Sequence, residues 1–251
     1  MESISVVVDK SFLQNHKSEQ LSGIIERGYR LLLTAELASE IFTTNTPEFK
    51  KCFNNLLAFR DHIDIIEHLG TLFKVEIENQ IPCSPISTYF LKGVLNQNFN
   101  YKFNEKQIKR IKEFEYDTEI SGSQEFERIV LEIKKFFPGI TIQDIQSPEV
   151  IRRIYARLRD EKIPSAEKID ECWAIYRRLQ VDCIAAIEYA HSFRNGKFDI
   201  TEERKRHNQI DFRIIILALL AKGVASNDRL IRRYFKVLCP DGILFPNEQF
   251  E

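Results

Sequence analysis

Three rhythms of apolar and polar positions run along the chain. At the start, "ISVVV" (4–8) is a mostly β-branched run without alternation, the pattern of a strand covered on both faces of a parallel sheet. "KSEQLSGIIERG" (17–28) predicts a helix closed near Gly28, and "YRLLLT" (29–34) a second strand. Together they form a βαβ unit, whose crossover should be right-handed. Thr34 is placed to cap a following helix, "AELASEIF" (35–42), on which Glu36 and Glu40 share a face. From Pro47 to about Arg206 a period of 3.6 replaces the strand pattern. Phe49, Cys52, Phe53, Leu56, Phe59, Ile63 and Ile66 form one such stripe, and Ile169, Cys172, Trp173, Tyr176, Leu179, Cys183 and Ile187 another. The second predicts a long helix over about 165–192. Shorter helices are predicted at 84–96, 104–116 and 123–136, with a break at Gly122.

After residue 207 the mixed pattern returns. "IDFRIIILALLAKG" predicts a helix with Asp211 in its first turn and Gly223 just past its end. "VAS" reads as a short strand, "NDRLIRRYFKVL" opens another helix, and "DGILF" reads as a last strand. The expected fold is α/β: an open parallel sheet flanked by helices and built from both ends of the chain, with a large all-helical insertion. The expected boundaries are 1–46 for the N-terminal part of the core, 47–206 for the insertion and 207–251 for the C-terminal part, with about 165–192 packing on the core.

Composition narrows this only slightly. The 251 residues are 43% hydrophobic and 29% charged, with a formal net charge of −1, so bulk charge does not make the chain a polyanion binder. Local basic clusters exist, as at Arg152, Arg153 and Arg157, but solvated helix faces account for such clusters equally well. The cysteines at 52, 83, 172, 183 and 239 have no Cys-x-x-Cys spacing, which argues against a zinc site. Cys172 and Cys183, on one face of the predicted long helix, are expected to be buried thiols, and the set fits a reducing, cytoplasmic setting. Glu2 and Asp9 are out of place in a secretory signal, and the run "IIILALLA" is too short to cross a bilayer, so no membrane association is expected.

Acidic residues carry the candidate chemistry. Sites in open α/β sheets form beyond the carboxyl ends of the strands. Asp9 follows the first strand, Asp228 follows "VAS", and Glu40 and Asp211 lie on helices that can reach the same edge. Four carboxylates meeting at one edge would repel unless a hard divalent cation lay among them. Each has a plainer explanation: Asp9 and Asp228 as helix caps, Asp211 as a favourable charge in a first helical turn, Glu40 as a surface charge in competition with Glu36. Glycine-rich phosphate loops and Gly-x-Ser-x-Gly are absent, and Ser11 stands where a haloacid-dehalogenase-type phosphatase needs a second aspartate.

The segments "VVVDKSFL", "GYRLLLTAELASEIF" and "NQIDFRIIILALLAKGVASNDRL", with the closing "PNEQF", resemble the PIN domain family of metal-dependent nucleases. The likeness covers roughly 3–44 and 207–250. It implies that Asp9, Glu40, Asp211 and Asp228 are catalytic carboxylates holding Mg²⁺ or Mn²⁺, with Ser226 and Asn227 orienting them. Lys10, Arg229, Arg232 and Arg233 would face backbone phosphates. The implied activity is endonucleolytic cleavage of single-stranded RNA, in a toxin, a defence effector or a processing enzyme. A structure-selective DNA nuclease and a non-catalytic interaction module are the alternatives. The helical middle is open to a protein partner, and the chain to a homodimer.

Overall fold

A computed structural model describes residues 5–15, 18–35, 37, 56, 58–66, 68–83, 105–158, 164–189, 193–194, 197–198 and 201–246. β1 (Ser5–Val8) leads through α1 (Lys10–Asn15) and α2 (Ser18–Glu26) to β2 (Arg30–Thr34). A 3-10 turn (Arg60–His62) opens β3 (Ile63–Ile66), and α3 (Leu69–Asn79) follows. The helical middle holds α4 (Glu105–Phe136), α5 (Ile142–Gln146), α6 (Pro148–Leu158) and α7 (Ala174–Glu188). A two-stranded hairpin, β4 (Phe193–Arg194) and β5 (Lys197–Phe198), precedes α8 (Glu202–Ala221), β6 (Gly223–Ala225), α9 (Arg229–Leu238) and β7 (Ile243–Phe245).

The sheet runs β3-β2-β1-β6-β7, with every pairing parallel. Its apolar strands are buried on both faces because helices cover both. Val7, Leu32, Ile66 and Val224 join the core made with α4, α6, α7, α8 and α9. Val6, Val8, Leu31, Leu33 and Ile65 point the other way, against Phe12, Leu13, Leu21 and Ile24. This is the physical basis of the unbroken apolar runs. Among the described residues, no helix is long and apolar enough to cross a membrane.

The expected strands at both ends of the chain are present, Gly28 closes α2 at φ 86°, and Thr34 Oγ1 accepts the Leu37 amide at 3.1 Å. Several expectations need correction. β3 lies within the segment expected to be wholly helical and pairs with β2 throughout, so the sheet draws on residues beyond 46. Its Ile63 and Ile66 are three apart, a spacing that a helical stripe and a short buried strand share. Gly122 does not break α4, which runs unbroken for 32 residues. A lone glycine costs a helix only about 1 kcal/mol relative to alanine. The helix expected from 165 starts at Ala174, leaving Cys172 exposed on a turn while Cys183 is buried. α8 starts at Glu202, so Asp211 lies well past its first turn. The left-handed residue ending α8 is Lys222 (φ 56°). Gly223 is needed for a different reason: a Cβ there would lie 2.7 Å from the Ser5 carbonyl oxygen, across the β1–β6 contact. The predicted helices at 35–42 and 84–96 fall largely or wholly outside the described residues.

α7 has no side-chain cap from its own N-cap residue, Trp173. Glu76 of α3 supplies the missing acceptor. Fully buried, it takes the amides of Ala174 (2.6 Å), Ile175 (3.0 Å) and Cys83 (3.2 Å). A carboxylate at a helix N-terminus satisfies otherwise orphaned donors. Glu76→Ala should therefore destabilise the protein by about 3 kcal/mol, because buried amides lose their acceptor. Urea unfolding followed by circular dichroism measures this, and a loss below about 1 kcal/mol would contradict the capping role.

Candidate active site

Strand order reverses between β1 and β6: β2 and β3 extend the sheet on one side, β7 on the other. Such a switch point opens a crevice beyond the carboxyl ends of the two strands. Asp9 and Ser226 are the residues immediately after those ends. Continuation of the parallel ladder fixes them: the Asp9 amide donates to the Ala225 carbonyl at 2.9 Å, and the Ser226 amide to the Phe245 carbonyl at 3.0 Å.

The side chains then interlock. Asp9, 6% exposed, accepts hydrogen bonds at Oδ2 from Ser11 Oγ and from Ser226 Oγ, the latter at 2.8 Å. Ser226 Oγ in turn accepts the Asp228 amide at 3.0 Å. Asn227 grips Ser11 twice, its amide donating to the hydroxyl at 3.0 Å and its side chain to the carbonyl at 3.2 Å. Ser226 thus bonds Asp9 directly, and Asn227 bonds Ser11, which itself bonds Asp9. The sequence marks Ser11 only as the residue in place of a second aspartate and gives it no role at the site. The available signal was an Asp-x-Ser at a strand end, where the first turn of a helix lets the hydroxyl reach back to the carboxylate.

Asp211 approaches from α8, which packs against β1 and β6. Burial pushes its carboxyl up to about 7, and the charges of Asp228 and Asp9 add to the rise. Asp9 is likewise raised, chiefly by burial, against the lowering effect of Ser11, Ser226 and the Lys10 amide, with the Asp228 charge raising it further. Asp211 thus feels the charges of both Asp9 and Asp228, and Asp9 that of Asp228. Glu40 lies outside the described residues.

Asp228 also has a structural task. It is the N-cap of α9, its Oδ1 accepting the amides of Leu230 (2.8 Å) and Ile231 (3.0 Å). Among the described residues, no group of three His, Cys, Asp or Glu side chains is arranged closely enough to hold a metal ion. Capping and charge can be separated. Asp228→Asn keeps a capping acceptor and should change stability by less than about 0.5 kcal/mol, whereas Asp228→Ala should cost about 1 kcal/mol. Thermal unfolding of the two variants checks this.

The basic residues divide. Arg232, expected to face phosphates, instead donates to the carbonyls of Ser226 and Phe245, each at 3.1 Å, and of Pro246 at 3.0 Å. It clamps the ends of β6 and β7 together. Arg233 is 57% exposed and pairs with Glu188 at 2.7 Å. Arg229 is exposed on the first turn of α9, and Lys10 is half-buried beside Asp9. Comparison of the chain with protein-family models, with curated proteins and with solved structures returned no match.

Proposed function

We propose that the chain is a divalent-metal-dependent endonuclease whose substrate is single-stranded RNA. The observation that carries this reading is the placement of Asp9 just past β1 and Asp228 just past β6 at the switch point of a parallel sheet, with Asp211 on α8 raised by the charges of both. The sequence resemblance to PIN domain nucleases names the same acids and adds Glu40. Carboxylate oxygens suit Mg²⁺ and Mn²⁺ by their hardness, and the raised Asp9 and Asp211 carboxyls gain most from a cation. The fit is one of donor chemistry, with Asp9, Asp211, Asp228 and Glu40 as the holding residues. A bound ion of this kind lowers the pKa of water and offsets charge on a phosphodiester under attack. Ser11 and Ser226 fix the Asp9 carboxylate in one orientation. Lys10, Arg229 and Arg233 are the groups for backbone phosphates.

The deciding assay incubates the chain with labelled single-stranded RNA and DNA in Mn²⁺, Mg²⁺ or EDTA. Cation-dependent cleavage of RNA supports the reading, and preferential cleavage of DNA would replace it with a DNA nuclease. A second reading, a non-catalytic interaction module with the same fold, is favoured by one observation: the Asp228 carboxylate is engaged by its own helix. Absence of cleavage together with absence of Mn²⁺ binding by calorimetry would select it.

A further inference from the structure

We propose that the β4–β5 hairpin and the exposed start of α8 form the docking surface for the RNA strand, with Arg194, Lys197 and Arg204 holding backbone phosphates on the approach to the acids at the sheet edge. The substrate class rests on the nuclease reading, and the place rests on the geometry of the chain.

α8 passes through Lys222 directly into β6 and packs back against it, so the helix runs from the carboxyl edge of the sheet towards the amino edge. The charges of Asp9 and Asp228 reach Asp211, which sets it level with the carboxyl edge. The helical residues before it, from Glu202 to Ile210, therefore overhang that edge by about 13 Å. Asn208, one turn before Asp211, is buried and donates its side-chain amide to the Tyr189 hydroxyl at 2.8 Å. Tyr189 ends α7, and Thr201 caps α8, its Oγ1 accepting the Arg204 amide at 3.3 Å. The hairpin is strung between these two anchored points, three residues after Tyr189 and two before Thr201. So short a reach, about 3.5 Å per residue, keeps its base beside the overhang.

Composition and register point to an anionic partner that carries bases. From Tyr189 to Phe198 the chain reads "YAHSFRNGKF", without an acid. The neighbouring acids Asp199, Glu202 and Glu203 are fewer than the five Lys and Arg residues of the stretch 189–206. The hairpin is a sheet of its own, and an isolated two-stranded pairing is marginal in water. Its register sets Arg194 directly opposite Lys197 and Phe193 directly opposite Phe198. Like charges opposite one another destabilise a pairing that has little stability to lose, and a phosphate lying across them reverses that cost. The two phenylalanine positions share the other face, and aromatic pairs of this kind are platforms for unpaired bases. Arg204 is exposed in the first turn of α8. It and Arg233 of α9 both act on the Tyr189 phenol, so cations from two helices flank one point of the overhang. Lys205 is held by Glu127 at 2.9 Å and adds nothing to the surface.

Docking is read apart from cleavage, by fluorescence anisotropy of a labelled oligouridylate of about 12 nucleotides titrated with the chain in EDTA. Arg194→Gln/Lys197→Gln/Arg204→Gln should weaken binding at least about tenfold at low salt. It should also flatten the slope of log K against log salt by about 2, as three lost phosphate contacts on a single strand require. Circular dichroism should show the triple variant folded, since the hairpin loses only a like-charge pair. The control Arg153→Gln/Arg157→Gln, on α6, should bind as the parent does. No RNA binding, a triple variant with the parent's affinity and salt slope, or an equal loss in the control would overturn the proposal. An oligoglutamate that competes as well as the RNA would replace it with an acidic protein partner. Cleavage is scored separately on the wild-type chain with Mn²⁺. RNA that docks on this surface and is not cut counts against the nuclease reading and leaves the docking surface standing.

Discussion

Asp9→Asn and Asp211→Asn should each lower Mn²⁺-dependent cleavage of single-stranded RNA by at least about a hundredfold. Loss of a group that merely orients a metal ligand already costs 10- to 100-fold, and these are the carboxylates themselves. Both substitutions keep the shape and remove the charge. Asparagine at 9 can still accept from Ser11 and Ser226, so the β1–β6 junction retains its hydrogen bonds. Asparagine at 211 relieves a buried carboxyl that its neighbours already oppose. Both variants should therefore fold, and calorimetry should show weakened Mn²⁺ binding in step with lost activity. Cleavage that persists in both variants would sink the metal-site reading.

The second large effect is a pH dependence of stability that a divalent cation reverses. The Asp211 carboxyl sits at about 7 in the folded chain, against 3.8 for the unperturbed group. Between those values the folded protein holds a proton that the unfolded chain has released. The stability that Asp211 contributes in EDTA is then fullest below about pH 4, falls as pH rises towards 7, and is level beyond. The loss is about 2–4 kcal/mol, and the raised Asp9 carboxyl acts in the same direction. Asp211→Asn should remove the part of the slope that Asp211 contributes, leaving that of the buried Glu76 and Asp182 carboxyls, raised to about 7 and about 6, and be the more stable protein at pH 8. Mn²⁺ at about a hundred times its dissociation constant should add about 2.7 kcal/mol, raising Tm by about 5–10 °C at pH 8. The gain should shrink at pH 5, where protons compete for the same oxygens. Thermal unfolding at both pH values, with and without Mn²⁺, reads the whole pattern. A Tm indifferent to Mn²⁺ at pH 8 would count against the site.

The candidate site was legible in outline because strand ends are legible. A run of apolar residues that stops at an aspartate marks both the end of a buried strand and the first polar group beyond it, as at Asp9 and at Ser226–Asp228. Its internal wiring was not. Ser11 and Asn227 are more than two hundred residues apart, and Arg232 could be assigned to phosphates or to carbonyls with equal local logic. Glu76 offered no signal at all, since a glutamate on a helix usually faces water.

By itself the sequence determined the sheet's four strands near the chain ends, the Thr34 cap and the places of Asp9 and Asp228 just past two of those strands. Local periodicity records which face of each element is buried, and turn chemistry records where it ends. The tertiary structure alone decided that β3 completes the sheet, that Glu76 caps α7, that Arg232 serves the backbone and that Asp211 titrates near neutrality. Each of these depends on which distant group comes to lie against it and on how much water that contact excludes, and neither quantity is written in a local pattern.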